Sequence, residues 1–244
     1  VMRLTEVYFF GLLIIASTLA LWEFYSMYRV EGLFKGAGIL FSFFFLLSAY
    51  RYQHLLPHIL MLFIIALASL RLLGKKDPSS SLHDISPALL GVVYIPGLLG
   101  FQLLLRGIGP EWIIFLYGCV WGSDSLAYYV GKTFGKRKLY QEVSPNKTVA
   151  GAWGSIAGGL LSGWILGVAL IHTMGAGKSM MIGFIVGGTT IMGDLVESMF
   201  KRDAGVKDSG SIIPGHGGVL DKIDGVLFAG PVFYWVSTAL GLTR

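Results

Sequence analysis

Apolar stretches recur along nearly the whole chain, at roughly 5–28, 36–50, 55–73, 87–105, 111–131, 151–174, 179–200 and 223–242. A helix needs about 20 such residues to cross about 30 Å of hydrocarbon. Eight stretches near that length leave an all-α, polytopic membrane protein as the expected fold. A large soluble protein with buried helices is excluded by what would have to coat it. Only 14% of the residues are charged and the mean hydropathy is +0.69, against about 25% charged in ordinary soluble domains. Pro57, Pro87, Pro96 and Pro231 fall in or near these stretches. Membrane helices tolerate proline where neighbours re-satisfy the freed carbonyls.

Cytoplasmic loops carry an excess of Lys and Arg. Numbering the loops between the eight stretches, the odd ones, with Arg71 at the end of the third stretch counted to its loop, hold 14 of the 19 basic residues. These loops are therefore expected on the cytoplasmic side of a plasma (inner) membrane. With eight spans both termini lie outside. The chain opens almost within its first apolar stretch, and a helix preceding it would move the N-terminus inside. The net charge of +5 is a topology signal and implies no nucleic-acid partner. The single cysteine, Cys119, sits in an apolar stretch and excludes both an internal disulfide and a cysteine metal site.

The polar segment 75–86 separates N-terminal helices (1–75) from a connecting region (76–110) and a C-terminal region (111–244) expected to carry the chemistry. Glycine concentrates late: Gly154/Gly158, Gly159/Gly163 and Gly163/Gly167 follow the small-xxx-small spacing that lets membrane helices approach closely. A homodimer through these spans is one expectation.

Ionisable groups inside spans cost at least a few kcal/mol on insertion scales, so each is a functional candidate. Glu23, Asp124, Asp194 and Glu197 are of this kind. Asp194 and Glu197 are three apart and share one helix face, with Ser198 beside them. An intrahelical salt bridge or an interfacial position also accounts for them. The segment 201–224 (KRDAGVKDSGSIIPGHGGVLDKID) is the richest. It sets Lys201, Arg202, Lys207, His216 and Lys222 among Asp208, Asp221 and Asp224. Asp221 and Asp224 suit a helix N-terminus, and they equally suit a hard-cation site in which Mg²⁺ takes carboxylate oxygens and nucleotide phosphates. Gly210, Gly215, Gly217 and Gly218 would let the backbone turn tightly and approach a phosphate. In the preceding basic loop, Lys136, Arg137 and Lys138 read as a topology signal. Ser144, Lys147 and Thr148 in SPNKT, just before a Gly-rich span, suit phosphate binding. Gly177-Lys178-Ser179 looks like the end of a phosphate loop, but His172 stands where that pattern needs glycine. His54, His58, His83 and His172 are isolated and take no role.

The stretch 198–224, SMFKRDAGVKDSGSIIPGHGGVLDKID, closely resembles the signature of bacterial phosphatidate cytidylyltransferases (CDP-diacylglycerol synthases): S-x-x-K-R, then K-D, P-G-H-G-G and D-R-x-D. SPNKT is similar to the family's S-P-K-K-T segment, and GSDSLAYYVGKTFGK to its D-x-x-A-Y-x-x-G-K segment. The resemblance covers about residues 118–230, and the N-terminal spans match in character only. Three positions depart from the pattern: Lys222 replaces arginine, Ala150 replaces glutamate and Asn146 replaces lysine. Lys222 keeps the charge and loses bidentate phosphate recognition.

The resemblance implies that CTP and phosphatidate give CDP-diacylglycerol and pyrophosphate, with a divalent metal, usually Mg²⁺, and room for a second cation. It also implies a site at the cytoplasmic membrane face, where cytosolic CTP meets a membrane lipid. Asp194, Asp221 and Asp224 are then the expected metal ligands. Lys147, Lys201, Arg202 and Lys207 are expected to hold phosphates, with Asp124 and Glu197 as alternates at the metal or as orienters of the cations. His216 is expected at a leaving or attacking oxygen, and Ser144, Thr148, Asp208 and Lys222 at substrate. Two readings compete. A CTP-dependent lipid-alcohol kinase of the polyprenol type shares part of the motif. An ion-coupled transporter would spread its charges over several spans near the midplane, whereas here they cluster at one face. A CDP-alcohol phosphotransferase lacks its D-G-x-x-A-R opening.

Overall fold

A computed structural model describes residues 2–74, 77–212, 215 and 217–243, with side chains from Glu6 onward. Among the described residues, eight α-helices follow the eight apolar stretches: α1 (Met2–Met27), α2 (Gly32–Arg51), α3 (Leu56–Leu73), α4 (Ser81–Ile108), α5 (Pro110–Phe134), α6 (Val149–Leu170), α7 (Ala176–Asp203) and α8 (Leu220–Ala239). Six of them, α1–α4, α6 and α7, are long and apolar enough to cross a membrane by length and composition among the described residues. The protein is thus an all-α, multi-pass membrane protein. Many large apolar side chains face outward, Trp121, Trp153 and Trp164 among them, as a lipid-facing surface requires.

Local chemistry sets the helix ends. Proline stands in the first turn of α3 and of α5, where its missing N–H costs nothing. Thr148 caps α6, its Oγ1 accepting from the Gly151 N–H at 3.1 Å. Arg51, Arg71, Lys201 and Arg202 occupy last turns, where cations complement the helix dipole. Pro87 and Pro96 sit inside α4, and Pro231 inside α8.

The polar segment after α3 is more ordered than its composition suggests. Asp77 caps a single 3₁₀ turn (Pro78–Ser80), accepting from the Ser79 N–H, and α4 begins at Ser81. That bond holds the Asp77 carboxyl below its ordinary value. Arg71, buried at the end of α3, donates to Asp84 at 2.8 Å, to the Asp77 carbonyl at 2.5 Å and to Ser80 at 2.9 Å. The polar residues are therefore consumed in tying α3 to α4, and α4 starts earlier than its apolar run. Lys75 and Lys76 lie outside the described residues.

Between α5 and α6 the basic loop forms a short antiparallel hairpin, β1 (Lys138–Tyr140) and β2 (Ser144–Thr148), pairing Lys138 with Thr148 and Tyr140 with Ser144.

The chain divides into two compact units. The first comprises residues 1–103 and 208–222, the second 104–207 and 223–244. In the first, Leu21, Phe24, Tyr25, Leu46, Phe63 and Leu99 are fully buried, and the Tyr25 hydroxyl donates to the Ala88 carbonyl at 2.7 Å. In the second, Trp112 and Phe115 of α5 stack on Phe233 of α8 at ring separations of 5.4 and 5.1 Å.

Candidate active site

Small residues bring the second unit's helices together. A Cβ added at Gly154 of α6 would stand 2.7 Å from the Leu126 carbonyl of α5. One at Gly163 would stand 2.6 Å from the Ser179 carbonyl of α7, and one at Gly187 of α7 would stand 2.6 Å from the Ser155 carbonyl of α6. Real Cβ atoms do not approach so closely, so α6 lies against both neighbours only because these positions lack side chains. The expected small-xxx-small contacts are thus made within one chain.

This packing frames a cavity of about 520 Å³. Asp124 and Tyr128 of α5, Lys147 and Thr148 of β2, and Asp194 of α7 line it. Lys147 Nζ pairs with Asp194 Oδ1 at 2.5 Å. One turn further along α7, Lys201 Nζ pairs with Glu197 at 2.5 Å, and Glu197 is fully buried. α8 crosses α7 at Gly193, where an added Cβ would lie 2.5 Å from the Asp224 carbonyl. That approach sets Asp224 beside the acids of α7. Asp194, Glu197 and Asp224 each offer a carboxylate oxygen, all within 4.8 Å of one another. Asp224 Oδ1 also accepts from the Gly225 N–H at 2.8 Å. Asp124 lies within electrostatic reach of both Asp194 and Asp224.

The charges decide what this cluster can hold. Four acids, Asp124, Asp194, Glu197 and Asp224, face two lysines, Lys147 and Lys201. If all are ionised the balance is two negative charges in a partly dry setting, where charge repulsion is only weakly screened. An all-oxygen donor set with that balance fits a hard divalent cation. The acidic trio could therefore hold a metal ion.

The other expected site residues fall as follows. Arg202 donates through Nε to the Val143 carbonyl at 3.2 Å and through a terminal nitrogen to the Val206 carbonyl at 3.4 Å. It thus ties the hairpin to the end of α7. Ser144 opens β2 opposite Tyr140. Lys207, Asp208 and Lys222 are exposed. His216 lies outside the described residues.

Asp221 belongs to the first unit, and its Oδ2 accepts from the Ser209 N–H (3.1 Å), the Ser209 hydroxyl (2.8 Å) and the Gly218 N–H (2.7 Å). Of the loop glycines expected to approach a phosphate, Gly210, Gly217 and Gly218 approach the protein's own acids, and a Cβ at Gly215 would meet nothing within 4 Å. A Cβ at Gly210 would lie 2.7 Å from Glu23 Oε1, and one at Gly217 (φ +85°) 2.6 Å from Asp221 Oδ2. Glu23 is the residue whose partners the sequence did not reveal. Its only signal was an acid deep within the first apolar stretch. Lys132 and Tyr128, also on the cavity wall, were singled out for no role, although both stand at fixed positions of the D-x-x-A-Y-x-x-G-K segment.

Residues 1–240 match the sequence profile of the cytidylyltransferase family. The chain belongs to that family. It is 34% identical to a phosphatidate cytidylyltransferase of Synechocystis, over 93% of this chain and 87% of the relative. It is 43% identical to a phosphatidate cytidylyltransferase of Haemophilus influenzae over 50% of this chain and 43% of that protein. It is 39% identical to one of Bacillus subtilis over 60% of this chain and 56% of the relative.

Proposed function

We infer that this chain is a phosphatidate cytidylyltransferase, joining the phosphate of phosphatidate to the α-phosphorus of CTP and releasing pyrophosphate. The observation that carries this reading is the meeting of Asp194, Glu197 and Asp224 within 4.8 Å, beside a cavity that holds Lys147, in a chain of the cytidylyltransferase family. Transfer at phosphorus depends on positioning and charge neutralisation more than on covalent chemistry.

Asp194, Glu197 and Asp224 would hold the metal, proposed to be Mg²⁺. When bound, that ion would supply neutralising charge to the triphosphate. Lys147, drawn toward the cavity by Asp194, would bind phosphate oxygens as a compact point charge. Lys201, held by Glu197, and the exposed Lys207 would extend the cationic surface. Thr148 would fix the hairpin end from which Lys147 projects. No general base is needed, because the attacking phosphate of phosphatidate is already anionic at neutral pH. The membrane helices suit a lipid substrate, and the bias of basic residues toward the odd-numbered loops supports a cytoplasm-facing site in the plasma membrane.

The test is to incubate the purified protein with α-labelled CTP and phosphatidate, with and without Mg²⁺ and after EDTA treatment. Label is expected in the lipid product, with free pyrophosphate, only when the metal is present. Transfer of the γ-phosphate to a lipid alcohol with release of CDP would replace this reading by the lipid-kinase one.

A further inference from the structure

Glu23, in the interior of α1, is 3% exposed and has its carboxyl group enclosed by the far end of the sequence. Oε1 accepts from the Val219 N–H at 2.9 Å, and Oε2 accepts from the Leu220 N–H at 2.9 Å and shares the single Ser209 hydroxyl proton, at 3.3 Å, with the nearer Asp221. Ser209 is also buried, and its hydroxyl lies within hydrogen-bond reach of Asp221 as well. Gly218 lies so close that an added Cβ would run into both Glu23 Oε2 and the Ser209 hydroxyl. Both ends of the segment 209–220, and the first turn of α8, are therefore fastened to one side chain of α1.

A carboxyl group in an apolar span is costly unless its acceptor sites are filled. The two backbone N–H groups at the start of α8 have no intrahelical partner and need an acceptor. Each requirement is met by the other. Nothing in α1 alone needs an acid at this position, since its neighbours Leu21, Phe24 and Tyr25 form a dry core. The acid serves the loop.

We propose that Glu23 is a positioning residue for the reaction: it fixes the Gly-rich segment that follows Lys207 and leads into α8. This rests on the proposed cytidylyl transfer, because the segment matters to turnover only if Lys207 and the first turn of α8 serve that site. Glu23 touches neither substrate nor metal. Its effect is exerted through where the loop holds its groups, and it falls on the catalytic step rather than on ground-state binding.

The experiment compares wild type, Glu23→Gln, Glu23→Ala and Gly218→Ala in detergent, reading kcat and CTP KM together with amide hydrogen exchange. Gln keeps the shape and offers one acceptor oxygen for three donors. A loss in kcat of about 10- to 100-fold with little change in KM is expected for misplaced groups. Exchange should quicken at residues 209, 219 and 220 while α6 and α7 keep their protection. Gly218→Ala should reproduce the kcat loss. Wild-type kcat in folded Glu23→Gln overturns the proposal. A raised KM at unchanged kcat also overturns it, as does loss of protection throughout the chain or failure of every Glu23 variant to fold. If the wild type itself makes no CDP-diacylglycerol, the cytidylyl-transfer reading fails. The exchange data then still decide whether Glu23 holds the loop, and unchanged exchange at residues 209, 219 and 220 overturns that too.

Discussion

Lys147 Nζ lies 2.5 Å from Asp194 Oδ1, and the glycines of α6 and α7 make that distance. Lys147 immediately precedes the Thr148 cap of α6, so its position follows α6 as a rigid body. Asp194 follows α7. Larger residues at Gly163 or Gly187 would force these helices apart and separate the pair. The ion pair aims the lysine into the cavity, and with Asp194 and Glu197 each matched by a lysine the charges of Asp124 and Asp224 are left uncompensated, which is the condition for recruiting a cation.

Asp194→Asn removes one carboxylate oxygen of the proposed metal site and the charged partner of Lys147 together. Turnover is expected to fall on the order of 10²-fold or more, the scale of removing one electrostatic contact to a reacting centre. Thermal unfolding in detergent should stay cooperative. Residual activity near wild type, measured with labelled CTP, would take Asp194 out of the site.

Asp224→Asn and Asp221→Asn should separate in their metal dependence. Asp224 belongs to the acidic trio, so its amide variant should need about 10- to 100-fold more Mg²⁺ for half-maximal rate. The Oδ2 of Asp221 is occupied by Ser209 and Gly218. Its variant should lose turnover through the loop while keeping the wild-type Mg²⁺ dependence. A Mg²⁺ titration on both decides: a shifted requirement in Asp221→Asn would put that residue on the cation.

What the sequence disclosed and what it hid divide by the range of the contact. Apolar length is a local property, and the eight stretches correspond to eight helices among the described residues, six of them long and apolar enough to cross a membrane. The shared face of Asp194 and Glu197 follows from helical period alone. The hairpin was hidden: its strands are three and five residues long with an irregular register, too short for alternation to register above a run of basic residues. The fastening of Glu23 to Ser209, Val219 and Leu220 spans 186 to 197 residues, and no periodicity carries such a contact. The polar segment after α3 misled because Asp84 pairs with Arg71 of α3 and Asp77 caps a turn, which composition reports only as polarity.

Thr148→Ala removes the α6 cap and is expected to destabilise the protein by about 1 kcal/mol, read as a lower unfolding midpoint. Thr148→Ser keeps the accepting oxygen and should recover most of that stability. Thr148 also lines the cavity beside Lys147, so the alanine variant should lose activity beyond what its lower stability explains. Equal stability of the alanine and serine variants would show that the hydroxyl does not hold the helix.

Gly193→Ala tests the crossing of α7 and α8 that brings Asp194 and Asp224 together. The new methyl would lie 2.5 Å from the Asp224 carbonyl and 3.2 Å from Gly225 Cα, and backbone cannot yield as a flexible side chain does. Overpacking of this kind costs about 1–3 kcal/mol, relieved only if α8 moves off α7. Such a movement widens the acidic trio, so activity should fall sharply and the Mg²⁺ requirement should rise. Gly188→Ala on the same helix is the control, because a methyl there meets nothing within 4 Å and should leave both unchanged. If Gly193→Ala behaves like Gly188→Ala, the close crossing is not what gathers the acids.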